Sequence, residues 1–258
     1  MLPLAVVEFG IGTGVVVVIE PLIRKLEKLG PLSDEDRRVL QDLPLTVRQV
    51  EADRDLVREG DQPLDCQLLL EGFACRYKML ENGGRQIMSF HIRGDICDLH
   101  SLLVGRMDHN ISMLTPGKVA AIPHATILGW TERHPALGRG LWWDTLIDAS
   151  IFREWVVNVG RRSAYQRIAH LLCELVTRMH TAGLAKDYTC DLPITQTEMA
   201  DATGLSTVHV NRTLQELRGK GLIELQNGTF LALDWAGLKE AAGFDPAYLH
   251  QLAPGLAI

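Results

Sequence analysis

The stretch 194–234, ITQTEMADATGLSTVHVNRTLQELRGKGLIELQNGTFLALD, constrains this chain more than any other. Thr195, Gln196 or Thr197 can cap a short helix that runs to Thr203, Gly204 breaks it, and Ser206 caps a longer helix ending near Arg218. Behind these, two alternating apolar and polar runs flank Asn227 and Gly228, residues that accept the positive φ of a type I′ hairpin turn. The expected unit is a helix-turn-helix followed by a β wing. Ala200 is small enough for the first helix to lie under the second, Gly204 permits the turn, and Leu205, Val210 and Leu214 hold the second helix from behind. Its outer face then offers Thr207, Val208, Asn211 and Arg212, which suit base edges: arginine for guanine, asparagine for adenine, threonine or valine for the thymine methyl. Thr195, Gln196, Ser206 and His209 are placed for phosphates. A helical hairpin packed inside a core would have no reason to keep this polar face and then add a wing.

Upstream, Leu22, Ile23, Leu26 and Leu29 recur at helical spacing, and Ser33 with Asp36 opens a second short helix. From Thr46 to Pro123 the pattern changes to short β-prone runs between turn residues (among them LVREGD, FACRYKML, ENGG, RQIMSFHI and RGDI), which indicates a sandwich or barrel-like roll. From His134 to Val159 it becomes helical again, with Trp142, Thr145, Ala149, Phe152, Val156 and Val159 on one heptad stripe that needs a partner helix. Gly160 interrupts this helix, and Ser163 with Gln166 caps a new one, Ala164 to His180, closed by Gly183. Asp234 caps a last helix that Gly243 ends. The fold class is α+β, divided into an apolar tail (1–18), a β-roll domain with flanking helices (19–133), a dimerisation helix (134–160) and a winged helix-turn-helix domain (161–258). Val15 to Val18 belong, on this reading, to a strand-like tail or an over-extended start, because the apolar N-terminus has neither a basic leader nor a clean span of about 20 apolar residues.

The net charge of −6 argues against a surface that coats nucleic acid everywhere. That acidity sits mainly in residues 1–160, with 17 Lys and Arg against 22 Asp and Glu, whereas residues 161–258 carry 9 against 10. A local basic face in the second part therefore stays possible. Five cysteines form no CxxC pair and fit free thiols in a reducing cytoplasm. No phosphate loop, nucleophile elbow or HExxH is present, which disfavours an enzyme.

The helix-turn-helix segment closely resembles that of the Crp/Fnr transcription regulators. The resemblance extends to almost the whole chain: GRRSAYQRIAHLLCEL is similar to the segment leading out of that family's dimerisation helix, and LVREGD with RGDI resembles its effector-binding β-roll, a cyclic-nucleotide-binding-like domain. The resemblance implies a homodimer that binds a palindromic operator in double-stranded DNA, with RNA polymerase as a further partner and no membrane. Arg212 matches the family's recurrent recognition arginine, whereas Thr207 and Val208 depart from the longer polar residues of familiar members and imply a different operator. Trp142, Ala149, Phe152, Val156 and Val159 would form the dimer seam.

Relatives that bind cyclic nucleotides carry a glutamate after the Gly-Asp turn and an arginine with a hydroxyl residue further on. Following Gly94 and Asp95, those places fall here to Leu99, His109 and Asn110, so a cyclic phosphate would lack its arginine unless Arg106 supplies it through a shifted alignment. The roll is expected to sense an unidentified small molecule other than cAMP, or nothing. With no cysteine before Cys66, the iron-sulfur branch is also disfavoured. Cys97, His100 and His109, with His91 nearby, form no closed four-ligand set, so no metal or other cofactor is expected. The competing reading is a roll that acts through ligand or protein contacts and not through DNA.

Overall fold

Seven strands and four helices make the first half of the chain in the computed structural model, which describes residues 14–43 and 45–250. Helices α1 (Gly14–Leu29) and α2 (Asp34–Gln41) come first, the latter opened by a reciprocal cap between Ser33 and Asp36. Strands β1 (Thr46–Val50), β2 (Asp55–Val57), β3 (Asp65–Glu71), β4 (Ala74–Met79) and β5 (Arg85–His91) follow. A short helix α3 (Ser101–Val104) separates them from β6 (Asn110–Met113) and β7 (Gly117–Pro123). The strands form two antiparallel sheets, ordered β1-β7-β3 and β2-β6-β4-β5, as the alternating runs require.

Between the strands Val57, Leu69, Cys97, Ile111, Met113 and Val119 form one core. A second core joins Leu68, Leu70 and Ile122 to Leu22 and Leu26 of α1 and to Trp130 of α4 (His124–Arg133). Lys25 reinforces it. Its ammonium lies 2.7 Å from Asp95 and 2.8 Å from Asp144, and although burial works against its charge, the two carboxylates outweigh that and raise its pKa.

Contacts divide the described chain into two compact units, residues 14–77 with 90–146, and residues 78–89 with 147–250. The long helix α5 (Pro135–Arg161) runs through both. In the second unit α6 (Ala164–Thr181) packs on α9 (Trp235–Ala242) and on the helix pair α7 (Gln196–Thr203) and α8 (Thr207–Gly219). Strands β9 (Ile223–Gln226) and β10 (Thr229–Ala232) make the expected hairpin, with Asn227 at φ 51° and Gly228 at φ 79°. A further strand, β8 (Thr189–Asp191), pairs with β10, and a 3₁₀ turn spans Pro246–Leu249.

Several expectations need correction. Val15 to Val18 are helical and not strand-like, because α1 starts at Gly14 and carries Pro21 inside it; residues 1–13 of the expected tail lie outside the described residues. Gly160 does not interrupt α5, which continues to Arg161; the break comes where Ser163 bonds reciprocally with Gln166. Arg93–Ile96 is a turn, with only Ile96 bridging to Leu68. Helices α3 and α4 and strand β8 go beyond the expected elements: α3 has four residues and β8 three, and α4 is only weakly amphipathic.

A buried polar knot fastens α5 to α6 within the second unit. Trp155 donates its indole N–H to the Glu174 carboxylate (3.0 Å), and the Tyr248 hydroxyl donates to the same group (2.8 Å). Burial raises the Glu174 pKa, although Arg178 and these donors oppose it. Beside it His170 stacks on Tyr248, and burial, with the Arg162 charge, pushes its imidazole down to about 3. The Glu154 carboxylate, 3.4 Å from His170, does not reverse this, because Arg162 already engages it. All five cysteines are free and buried; burial lifts Cys66 to about 12 and Cys190 to about 11, with Asp98 and Asp191 adding to the respective effect.

Candidate nucleic-acid interface

The helix pair is built by local caps. Thr195 accepts from the Glu198 N–H while Glu198 reaches back to the Thr195 N–H, so of the three sequence candidates it is Thr195 that caps α7. Gly204, at φ 64°, ends α7 in the left-handed region that side-chain-bearing residues avoid. Arg167 of α6 donates to the Thr203 carbonyl at 3.0 Å and holds this turn from below. Ser206 then caps α8 by accepting from the His209 N–H.

These caps fix which face of α8 points outward. Val210, Thr213, Leu214 and Leu217 are buried, while Thr207, Val208, His209, Asn211 and Arg212 are exposed. Val208 is 58% exposed, so its methyl groups are open to contact from outside the helix. The Asn211 amide donates to the Gln196 side chain (3.2 Å), which joins one phosphate candidate to one base-reading candidate, and the Ser206 hydroxyl lies 3.1 Å from the His209 ring, which joins two phosphate candidates. Thr195 and Ser206 serve as caps as well.

Along α5, Trp142, Ala149, Phe152 and Val156 are exposed and Val159 is half-buried, with Trp142 70% exposed. Trp155 falls off this stripe into the polar knot. The stripe is therefore an uncovered apolar seam in the single chain.

The roll treats its candidates differently. Gly94 packs against Pro21, and Asp95 is buried, bonded to Lys25 and to the Ile92 N–H. Leu99 is packed against the core shared with α1. Asn110 accepts from the Glu59 N–H at 3.0 Å, and Arg106 is exposed near Gly60. His109 is buried, bonded to Asp108, with its ring centroid 4.9 Å from that of His100. Gly94, Asp95 and Leu99 thus serve packing in this structure. Sequence reasoning passed over Asp108, Lys25 and Glu174; the last two carried a signal, as charged residues within otherwise apolar helical stripes. Among the described residues no helix is long and apolar enough to cross a membrane.

Comparison with known proteins agrees with this architecture. Residues 47–134 match the cyclic nucleotide-binding domain, and residues 166–241 match the Crp-like helix-turn-helix domain. The nitrogen fixation regulation protein FixK of Bradyrhizobium diazoefficiens is 30% identical over 174 residues, 67% of this chain and 72% of that protein. The transcriptional activator protein FnrL of Cereibacter sphaeroides is 27% identical over 207 residues, 77% of this chain and 81% of that protein. The structure of FixK2 from Bradyrhizobium japonicum superposes with a TM-score of 0.69 at 22% identity, covering 77% of this chain and 98% of that one, and shows the same fold. The chain belongs to the Crp/Fnr family of DNA-binding transcription regulators.

Proposed function

We propose that this regulator binds a two-fold symmetric operator as a homodimer joined along the α5 seam, reading bases with Thr207, Val208, Asn211 and Arg212. Thr195, Gln196, Ser206 and His209 bind flanking phosphates and set the register. The observation that carries this reading is the outer face of α8, where exposed Asn211 and Arg212 stand on a helix whose opposite side is fully buried. Two such helices would enter successive major grooves about 34 Å apart. The dimer would act on RNA polymerase in a reducing cytoplasm and would have no catalytic role.

We further propose that the roll does not take cAMP. A buried cyclic phosphate needs a paired cation, and where cyclic-nucleotide-binding relatives carry an arginine and a hydroxyl residue this chain has His109 and Asn110, one bonded to an acid and the other to a backbone N–H.

Selection from a pool of random duplex DNA, with and without cAMP, tests both points. The expected result is a palindromic site retained in either condition and weakened about 10- to 100-fold by Arg212→Ala, the cost of one lost bidentate guanine contact. A site that appears only with cAMP would overturn the reading of the roll. Retention of the same site by Arg212→Ala at full affinity would overturn the reading of α8.

A further inference from the structure

We propose that His100, Asp108 and His109 form a binding site for a divalent first-row transition-metal ion on the roll. The observation is a convergence that residue spacing conceals. His100 directly precedes α3 and His109 directly precedes β6, yet one ligand atom from each of His100, Asp108 and His109 lies within 4.8 Å of the others. Two donors on one ion, each about 2.0–2.1 Å from it, stand about 3–4 Å apart, so modest side-chain rotation closes the set.

The donor types select the ion. Two imidazoles and a carboxylate suit zinc, cobalt, nickel or ferrous iron, whereas calcium and magnesium call for all-oxygen ligation. Three protein ligands leave coordination positions for water or a small ligand, which is the pattern of an open site and not of a closed structural one. Asp108 already lies 2.6 Å from Nδ1 of His109, so it can either join the ion or fix the ring that does.

The backbone around the cluster is held in place. Leu103 and Val104 donate to the His100 carbonyl, and Met107 exchanges backbone hydrogen bonds with Asp61 and Gly60 at 2.9 and 2.7 Å. Glu59 donates its N–H to the Asn110 side chain next to His109. The ends that carry the two imidazoles are therefore anchored before any ion arrives. The three residues differ in exposure: His109 is buried and His100 half-buried, while the Asp108 side chain is 81% exposed. Cys97, the thiol that the sequence places near these histidines, is fully buried in the core between the sheets and is not a member of the set.

This site stands on its own three residues and does not depend on how the chain recognises DNA. The test is titration of tag-free, chelator-stripped full-length protein with Co(II), followed by visible ligand-field absorption, with Zn(II) as competitor and no DNA present. The expected result is one Co(II) per chain, displaced by Zn(II), and weakened about tenfold or more by His100→Gln or by Asp108→Asn. His109→Gln carries the greater risk to folding, so thermal melting accompanies each variant and the exposed Asp108 keeps the test decisive. No ligand-field absorption in the wild type, or an unchanged titration in a His100→Gln, Asp108→Asn double variant, would overturn the site. Operator binding, measured separately in excess chelator, reports on the DNA reading alone.

Discussion

The two units of this chain use polar side chains in opposite ways. In the C-terminal one, the groups proposed to read bases stand exposed on α8, and the groups of its buried polar knot, Trp155, Glu174 and Tyr248, lie elsewhere. In the roll the two duties overlap. Asp95 pairs with Lys25, Leu99 fills a core and Asn110 holds the Glu59 backbone, although all three occupy positions where a sensory pocket is expected. A DNA-reading face built this way can change its operator residue by residue without unfolding. Any ligand specificity placed at these positions could change only by rebuilding contacts that keep the roll folded.

The largest effect should come from Lys25→Met, which leaves Asp95 and Asp144 facing each other in the roll. We expect a loss of about 3–5 kcal/mol, read by urea unfolding, with hydrogen exchange accelerated in the roll segments first. A loss below about 1 kcal/mol would show that this ion triad behaves like a surface pair and would remove one side of the comparison.

Acid separates the units more finely. His170 binds no proton in the folded chain until about pH 3, whereas the unfolded side chain titrates near 6.5, so stability is lost as pH falls through that window. Between pH 7 and pH 5 this amounts to about 2 kcal/mol by linkage. Glu174, with its raised pKa, works in the opposite direction, and comparing wild type with His170→Phe cancels its contribution. The unfolding free energy of wild type minus that of the variant should fall by that amount at the lower pH; a difference independent of pH would refute the buried neutral imidazole.

Asn211→Ala should cost about 1–3 kcal/mol of operator affinity and relax the preference at one base position, while the melting temperature stays unchanged. Should melting fall in parallel, the face would carry structure as the roll does. The smallest effect is expected of Ser206→Ala, about 1 kcal/mol of stability from the lost cap, seen as a shift of a few degrees in thermal melting.

Much of the C-terminal unit was legible because its signals are local. A cap and its partner lie three residues apart, the turn glycine adjoins its helix, and the Asn227-Gly228 pair sits between its own strands, so the exposed face of α8 followed from spacing alone. The roll depends on distant pairings: β3 lies beside β7, Ile96 beside Leu68, and Asp95 beside Lys25. Its strand pattern was readable and these distant pairings were not. For α4 a signal existed, since Ile127 and Trp130 are buried three residues apart, but the helix is only weakly amphipathic. His100 and His109 stand out together as imidazoles in the sequence, whereas Asp108 joins them only through the fold of the loop after α3.

The five sheltered thiols give the molecule an internal stopwatch. Cys66, Cys75 and Cys97 lie in one unit, Cys173 and Cys190 in the other, and all are buried. Because only an exposed thiolate is alkylated rapidly, each sulfur records the moment its own surroundings first open. Pulse alkylation followed by peptide mass mapping would therefore time the opening of the two halves separately, with no label added to the chain.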